Sequence, residues 1–351
     1  METVKRAKYR LIYAGSDITA DITPFLVQLS YTDYLSGKTD ELTFSVEDSD
    51  KLWRTSWRPQ KKDVIEAFIG YDNNLVNCGT FEVDQIDFSG PPDQVTIRAI
   101  AARISQAVRT ELSFVHEQKT LAQIAQAIAD KHGLTLQGDI EHILFERTTQ
   151  LRESDFGFLN RIAGDYGYIF NVRDTTMTFV KVFEMDASDP VKEIDRIDLI
   201  RYSINDKSTK TYQSAEIKYQ NPTTNRLIGV VAIGELANAA QDVLQIRGQR
   251  CENDGQALTR AEAAIHVVNT MSMDGSITVE GDPVSLAGNS FDFTGMGYIS
   301  GKYKILESTH TISQGAGYVT VSKIKRVGEI DSTRWLPRNQ RQTTSNLIVN
   351  D

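Results

Sequence analysis

The residues able to do chemistry in this chain are few and poorly arranged for it. Glu153 and Asp155 are the best paired carboxylates. They stand two positions apart at the start of a predicted helix, so they do not share a face. The positive end of the helix dipole favours their charged forms, which argues for capping and against a general acid. Of the five histidines, His132 sits beside a helix-ending glycine, His266 lies in an alanine-rich helix and His310 in a strand. None is spaced with another His, Cys or carboxylate as a metal site requires, and each reads as structural. Cys78 and Cys251 are far apart and outside any Cys-x-x-Cys pair, the pattern of reduced, buried thiols. There is no Gly-x-x-x-x-Gly-Lys-Ser/Thr loop, no Gly-x-Ser-x-Gly elbow and no His-Glu-x-x-His. The glycines at 295/297 and 315/317 lack the helix that a phosphate loop needs and read as hairpin turns. No catalytic, cofactor-binding or metal residue is assigned, no cofactor is expected, and the chain reads as a non-enzyme. What remains for contact with partners is Trp53, Trp57 and Trp335, because large aromatics anchor interfaces. The Trp53–Trp57 pair equally suits a lid over the end of a barrel.

Around these residues, 351 positions are enough for two or three domains with a sizeable core. The net charge of −9 makes the chain a poor binder of phosphate backbones. The small basic runs Lys61-Lys62 and Lys323–Arg326 read as solvated strand ends. No specific nucleic-acid binding is expected. No run approaches the ~18 apolar residues of a membrane span, so no stable membrane insertion is expected either. The first ten residues have no apolar segment behind their basic ones, unlike a secretory signal.

Apolar alternation predicts strands across Lys8–Val46, at Val64–Tyr71, at Phe81–Phe88 and, after the turn Gly90-Pro91-Pro92-Asp93, at Gln94–Ala101. So many short strands without a helical pattern suggest a small antiparallel barrel. From about Ser105 the period changes. Thr120 and Gln123 make a capping box for a helix whose buried stripe is Leu121, Ile124, Ala125, Ile128 and Ala129, ended by Gly133. A second helix starts with Ser154 as N-cap, buries Phe156, Leu159, Ile162, Ala163 and Tyr166, and ends at Gly167. Tyr168–Val172 and Met177–Val182 then return as strands. The acidic stretch Glu184–Asp198 reads as a connector. Strand character resumes at Ile200–Tyr219, Thr224–Val231 and Val243–Arg247, a helix follows at Gly255–Thr270, and further strands fall at Ser276–Glu280, Val284–Leu286, Phe291–Phe293, Gly301–Ser308 and Tyr318–Ile324. This is a second barrel with an inserted helix. Glu329–Asp351 is polar and aperiodic, and reads as a tail that orders on binding.

Several of these stretches carry a resemblance. Glu153-Ser154-Asp155-Phe156, with Phe158-Leu159 and Arg161, runs into Gly167-Tyr168, Phe170 and Val172. This pattern resembles the hub proteins of contractile tails, the phage late control protein D and the N-terminal part of VgrG spikes. The run Cys78–Asp84 with Gly90-Pro91-Pro92 is similar to that family's first tube domain. Gly301–Ile305, Thr309-His310 and Gly317–Thr320 are similar to the end of its second. The helix followed by Gly281-Asp282-Pro283-Val284 matches as well, and the likeness spans about residues 5–328. It implies an α+β, mainly β fold: two tube-type antiparallel β-barrel domains at 1–104 and 186–328, an α/β module at 105–185 between them, and a tail at 329–351. It also implies a homotrimeric baseplate hub joining a six-fold tail tube to a three-fold spike. Its expected partners are itself, the spike, tail tube and baseplate proteins and the tape measure protein, and its expected place is the tail of a virion or tail-like particle. With no spike after Gly328, the chain resembles the late control protein D type. The alternative is a peptidoglycan-binding or wall-degrading tail protein, because Thr120-Leu121 with Ile124-Ala125 is also how a LysM module begins. Co-sedimentation with peptidoglycan separates the two.

Overall fold

A computed structural model of the chain describes residues 6–72, 74–101, 110–173, 175–207, 211–220, 227–234, 242–247 and 251–327. With 54% strand against 19% helix, the class is α+β and mainly β, as the alternation predicts. The first region holds β1 (Ala7–Tyr13), β2 (Ser16–Asp17), a single-turn helix α1 (Thr19–Ile22), β3 (Leu26–Tyr34), β4 (Glu41–Glu47), β5 (Val64–Tyr71), β6 (Asn74–Ser89) and β7 (Gln94–Ala101). The middle holds β8 (Leu112–Thr120), α2 (Leu121–Lys131), β9 (Thr135–Gln137), β10 (Leu144–Glu153), α3 (Asp155–Asp165), β11 (Tyr168–Arg173) and β12 (Thr176–Lys181). Then come α4 (Val182–Ala187), β13 (Lys192–Asp195), β14 (Leu199–Asp206), β15 (Ser214–Gln220), β16 (Leu227–Ile233), β17 (Val243–Ile246), α5 (Asp254–Thr270), β18 (Met273–Glu280), β19 (Ser290–Thr294), β20 (Gly301–Ser313) and β21 (Gly317–Arg326).

The two β-rich regions are two lobes of one sheet. Its strands run β14-β18-β21-β20-β3-β4-β7-β6-β5-β1-β2, with β19 and β13 branching from β20. The join is β20 against β3, antiparallel, with His310 opposite Tyr31. Period-2 alternation sends one side of each strand inward. Leu42, Phe44 and Val46 on β4 and Val95, Ile97 and Ala99 on β7 are buried, together with Leu29 and Tyr31. The second lobe has its own core of Phe291, Phe293, Tyr303, Ile305, Ile277 and Ile324.

The middle region packs α2 and α3 against the three-stranded sheet β11-β12-β9. Both predicted caps are present. The Gln123 amide donates to Thr120 Oγ1 at 3.2 Å while the Thr120 amide donates to Gln123 Oε1 at 3.0 Å. The Gly157 amide donates to Ser154 Oγ at 3.1 Å. Gly167 turns the chain out of α3 at φ +76°, and a Cβ there would stand 3.1 Å from the Ala263 methyl, so only glycine lets α5 approach.

Four features differ from the sequence expectation. The stretch expected to be a connector folds into α4 and β13, the latter paired in parallel with β19. Val284–Leu286 is not a strand; Asp282 accepts from the Val284 amide at 3.2 Å and the Ser285 hydroxyl at 3.0 Å, and this side-chain turn takes the local bonds a ladder would need. The helix expected to sit within the second barrel, α5, packs Ala257, Ala261 and Ile265 on a separate small sheet, β16-β15-β17. Finally, β8 pairs with β10 as a two-stranded ribbon that the sequence reading left unassigned. The tail from Glu329 onward, and Trp335 in it, lie outside the described residues.

Candidate functional site

The side of the large sheet that faces away from the cores is its most distinctive surface. Across the β20–β3 join it is lined by small hydroxyl side chains that bond to one another. Thr32 and Thr309 lie 3.2 Å apart, Ser30 and Thr311 3.5 Å, and Ser45 and Thr96 2.9 Å. Arg98 and Lys323 project from the same side, each held by a carboxylate, while Arg201, in the same cross-strand row as Val321, Thr309 and Thr32, is exposed there. Arg98 Nη2 is 2.6 Å from Glu41 Oε2, and Lys323 Nζ is 2.9 Å from Glu307. Val321 is its exposed apolar residue near the join. The face therefore offers short hydroxyls and mostly paired charge, which grip neither apolar surface nor phosphate strongly.

Behind it, ion pairs to buried carboxylates lock the elements together. Arg173 of β11 reaches Asp33 of β3 at 2.6 Å and Asp40 at 3.8 Å. Asp33 also accepts from the Ala287 amide at 2.8 Å, and Asp40 from the Tyr34 amide at 3.0 Å. Burial raises both carboxyls above the usual range, and the neighbouring Asp33 charge adds to the rise at Asp40, which reaches about 7. In the second lobe, Asp186 of α4 takes His266 of α5 and Lys325 of β21, each at 2.9 Å. Burial works to raise the Asp186 carboxyl, but its His266 and Lys325 partners outweigh that and hold it low. Lys304, fully buried, donates to the Met185 and Gly288 carbonyls and the Ser188 hydroxyl. Burial pulls its amine down to about 8.

The residues singled out by sequence fall as follows. Ser154, not Asp155, caps α3. Asp155 turns inward to accept from Lys131 at 2.7 Å, His132 at 2.8 Å and Gln150 at 3.1 Å. Burial opposes its ionisation, yet these three donors hold the carboxyl below its usual range. The capping reading of Asp155 is corrected accordingly: its charge ties α2 to α3. Glu153 stands apart on β10, paired with Arg161 at 3.0 Å. His266 and His310 are buried, as structural residues are, and His266 has a carboxylate partner in Asp186. Eighty positions separate the two, and no spacing rule shows such a pair. Cys78 and Cys251 are free and buried. Among the described residues no group of three or more His, Cys, Asp or Glu could hold a metal ion, and no helix is long and apolar enough to cross a membrane. Trp53 is buried in the first lobe's core, with Trp57 edge-on at 5.7 Å and 40% exposed. Trp53 is thus a core residue, and part of the Trp57 ring reaches the surface.

Comparison with known proteins gives a consistent picture. The sequence profile of the phage tail baseplate hub (GPD) family matches residues 77–316. The chain is similar to a probable baseplate hub protein of Escherichia phage P2, 29% identical over 176 residues, 49% of this chain and 45% of that protein. It is likewise similar to the probable baseplate hub protein of Escherichia phage 186, at 27% over 176 residues, 49% of this chain and 44% of that one. The match thus spans less than half the length of these curated relatives. In fold, the chain is similar to a 43 kDa tail protein of prophage MuSo2 from Shewanella oneidensis, with TM-score 0.69 and 14% identity over 91% of this chain and 98% of that one. A component of the type VI secretion system of E. coli shares the fold at TM-score 0.55 and 10% identity, over 87% of this chain and 74% of that one.

Proposed function

This chain belongs to the phage tail baseplate hub family, and on that premise we propose that it is the structural hub of a contractile tail or tail-like particle. Three copies form a ring that joins a six-fold tail tube to a three-fold spike. The observation that carries this reading is the single sheet running through both lobes with one open, hydroxyl-lined side. Two lobes per chain and three chains per ring present six similar positions to the tube while the ring keeps three-fold symmetry. The open side then lines the bore, where cargo has to pass without adhering. Its partners are further copies of itself and the spike, tube, baseplate and tape measure proteins. Trp57, backed by Trp53, and Trp335 are the proposed partner contacts, and catalysis is no part of the role. Light scattering on the purified chain and three-fold averaging of particle images test this. Three copies per particle are expected; six copies would overturn the adaptor.

The bore reading carries an expectation of its own. With Arg98 and Lys323 neutralised on the sheet, the wild-type protein should not bind DNA at physiological salt in a fluorescence anisotropy titration. Glu41→Gln together with Glu307→Gln frees both cations and should introduce weak, salt-sensitive binding. Micromolar binding by the wild type would sink the idea of a non-adhesive bore.

A further inference from the structure

The loop between β4 and β5 stands on the sheet rim opposite the middle region. At one rim β3 ends in Tyr34, whose carbonyl accepts from the Asn171 side chain of β11 at 3.0 Å. At the other, β4 ends in Glu47 opposite Gln94, the first residue of β7, and the loop begins there. From Lys51 to Lys62 it holds Lys51, Arg54, Arg58, Lys61 and Lys62 and no carboxylate, in a chain of net charge −9. All five cations are exposed. Arg54 is taken up by Asp48 at 2.9 Å and Asp93 at 3.0 Å. Among the described residues the other four have no carboxylate within 4.0 Å. Acidic groups at the ends of the loop are engaged elsewhere. Glu47 accepts from the Ser49 hydroxyl at 2.7 Å, and Asp63 from the Gln60 amide at 2.9 Å and from the Tyr13 hydroxyl. Asp50 is exposed beside them, one carboxylate against four cations.

The loop is held in one shape. Trp53 is buried, and its amide donates to the Asp48 carboxylate at 2.9 Å. The Lys51 amide donates to the Asp48 carbonyl at 3.0 Å and the Lys62 amide to the Val83 carbonyl at 2.8 Å. Pro59 is buried between them. Lys51 and Lys62 stand at φ +58° and +74°, where an L side chain crowds its own backbone and glycine does not. Glycine would close both turns with less strain, so what lysine adds at these two positions is its charge. Trp57 lies between them in the chain, with its ring held edge-on by Trp53 and by Phe25, the latter at 5.9 Å. A fixed, part-exposed aromatic ring among cations offers the residue types that interfaces enrich, with little left to order on binding.

We propose that the loop Lys51–Lys62 is a docking platform for a carboxylate-presenting surface of another protein. An apolar side chain of that partner lies against Trp57, and Asp or Glu side chains around it pair with Lys51, Arg58, Lys61 and Lys62. Charge complementarity selects this occupant. The net charge of −9 opposes a long polyanion such as DNA, whose phosphates extend well past the loop. A small group of carboxylates is screened beyond about 10 Å and meets the local cations alone. A second copy docking through the same loop would set like charges against each other. The hub reading enters only in the whereabouts of the partner, which is a neighbouring protein of the tail particle on the rim away from the middle region.

The test uses the full chain and a fluorescein-labelled peptide with a central leucine between runs of glutamate and aspartate. Anisotropy should show saturable binding that weakens about tenfold between about 50 and about 300 mM salt. Lys51→Ser, Arg58→Ser, Lys61→Ser and Lys62→Ser combined should weaken it about tenfold or more at the lower salt. Trp57→Ser should weaken it about fivefold and keep the salt dependence. These side chains are exposed, so far-UV circular dichroism should not change. Lys51→Gly with Lys62→Gly separates charge from turn, because it relieves the backbone and should still lose affinity. No saturable binding by the wild type, or equal binding by the fourfold variant, would overturn the platform. A DNA duplex or phosphatidylserine vesicles bound more tightly than the peptide would overturn the protein partner. In particles, the fourfold variant should keep the oligomeric state of the wild type by light scattering but fail to complement assembly. Normal assembly with that variant would overturn the docking role and leave the hub standing. A wild-type chain absent from purified particles would overturn the hub, while the peptide titration would still decide the platform.

Discussion

Arg173→Met is expected to be among the more destabilising single changes in the chain, costing about 1–3 kcal/mol at pH 8, less than for a fully buried pair because the guanidinium is 43% exposed and partly screened. Arg173 is the cation that faces two buried carboxylates, Asp33 at 1% and Asp40 at 4% exposure of their side chains. Methionine keeps much of the apolar stem and removes the charge, so packing loss is limited and the cost is chiefly electrostatic. Burial already holds both carboxyls above their ordinary range, with Asp40 at about 7, while Arg173 pulls both down. Without that pull both rise further, and at pH 8 the fold must either ionise them uncompensated or bind protons from a dilute pool. At pH 5 protons are abundant and neutral carboxyls carry little penalty. The loss should therefore shrink markedly between pH 8 and pH 5. Urea unfolding followed by tryptophan fluorescence reads this, since Trp53 is buried in the first lobe's core. An equal loss at both pH values would mean that Arg173 acts by packing alone.

That joint was invisible in the sequence, and the reason is physical. Asp33 and Arg173 are 140 positions apart, and ion pairs leave no periodic trace. Elements that bury one side completely were legible. The bounds of β5 and β7 match the alternation, and both helix caps stand where the hydroxyls and Gln123 put them. The ribbon strand β8 was missed because little of it is buried, so no alternation marks it. The small sheet under α5 was read as part of the second barrel, because alternation reports that a strand has an inner side but not which core that side meets.

Acidification should loosen the join between the lobes through His310. This imidazole is fully buried at the β20–β3 pairing. Its ring stacks on Tyr31 with centroids 5.9 Å apart, and it lies 2.9 Å from the Tyr318 hydroxyl and 3.1 Å from the Ser285 carbonyl. Burial opposes the imidazolium and lowers the pKa from 6.5 to about 4. A group depressed on folding contributes stability that is whole above its unfolded pKa and is lost as pH falls through the folded one. The loss therefore begins near pH 6.5, is complete a little below pH 4 and amounts to about 3 kcal/mol. Asp40 works in the opposite sense. Its raised carboxyl gives stability that is whole below the unfolded value of 3.8 and fades as pH rises through about 7. The wild-type curve alone is thus a sum of opposed slopes, and a comparison isolates the histidine. His310→Gln keeps hydrogen-bonding capacity without a titrating group. Its stability deficit relative to wild type should be largest near pH 7.5 and should narrow by about 3 kcal/mol by pH 4. Urea midpoints at closely spaced pH values, read by tryptophan fluorescence, give this difference directly. A deficit that stays constant over the range would show that His310 is charged or solvated in the folded chain. The tightness of the internal join would then need another source.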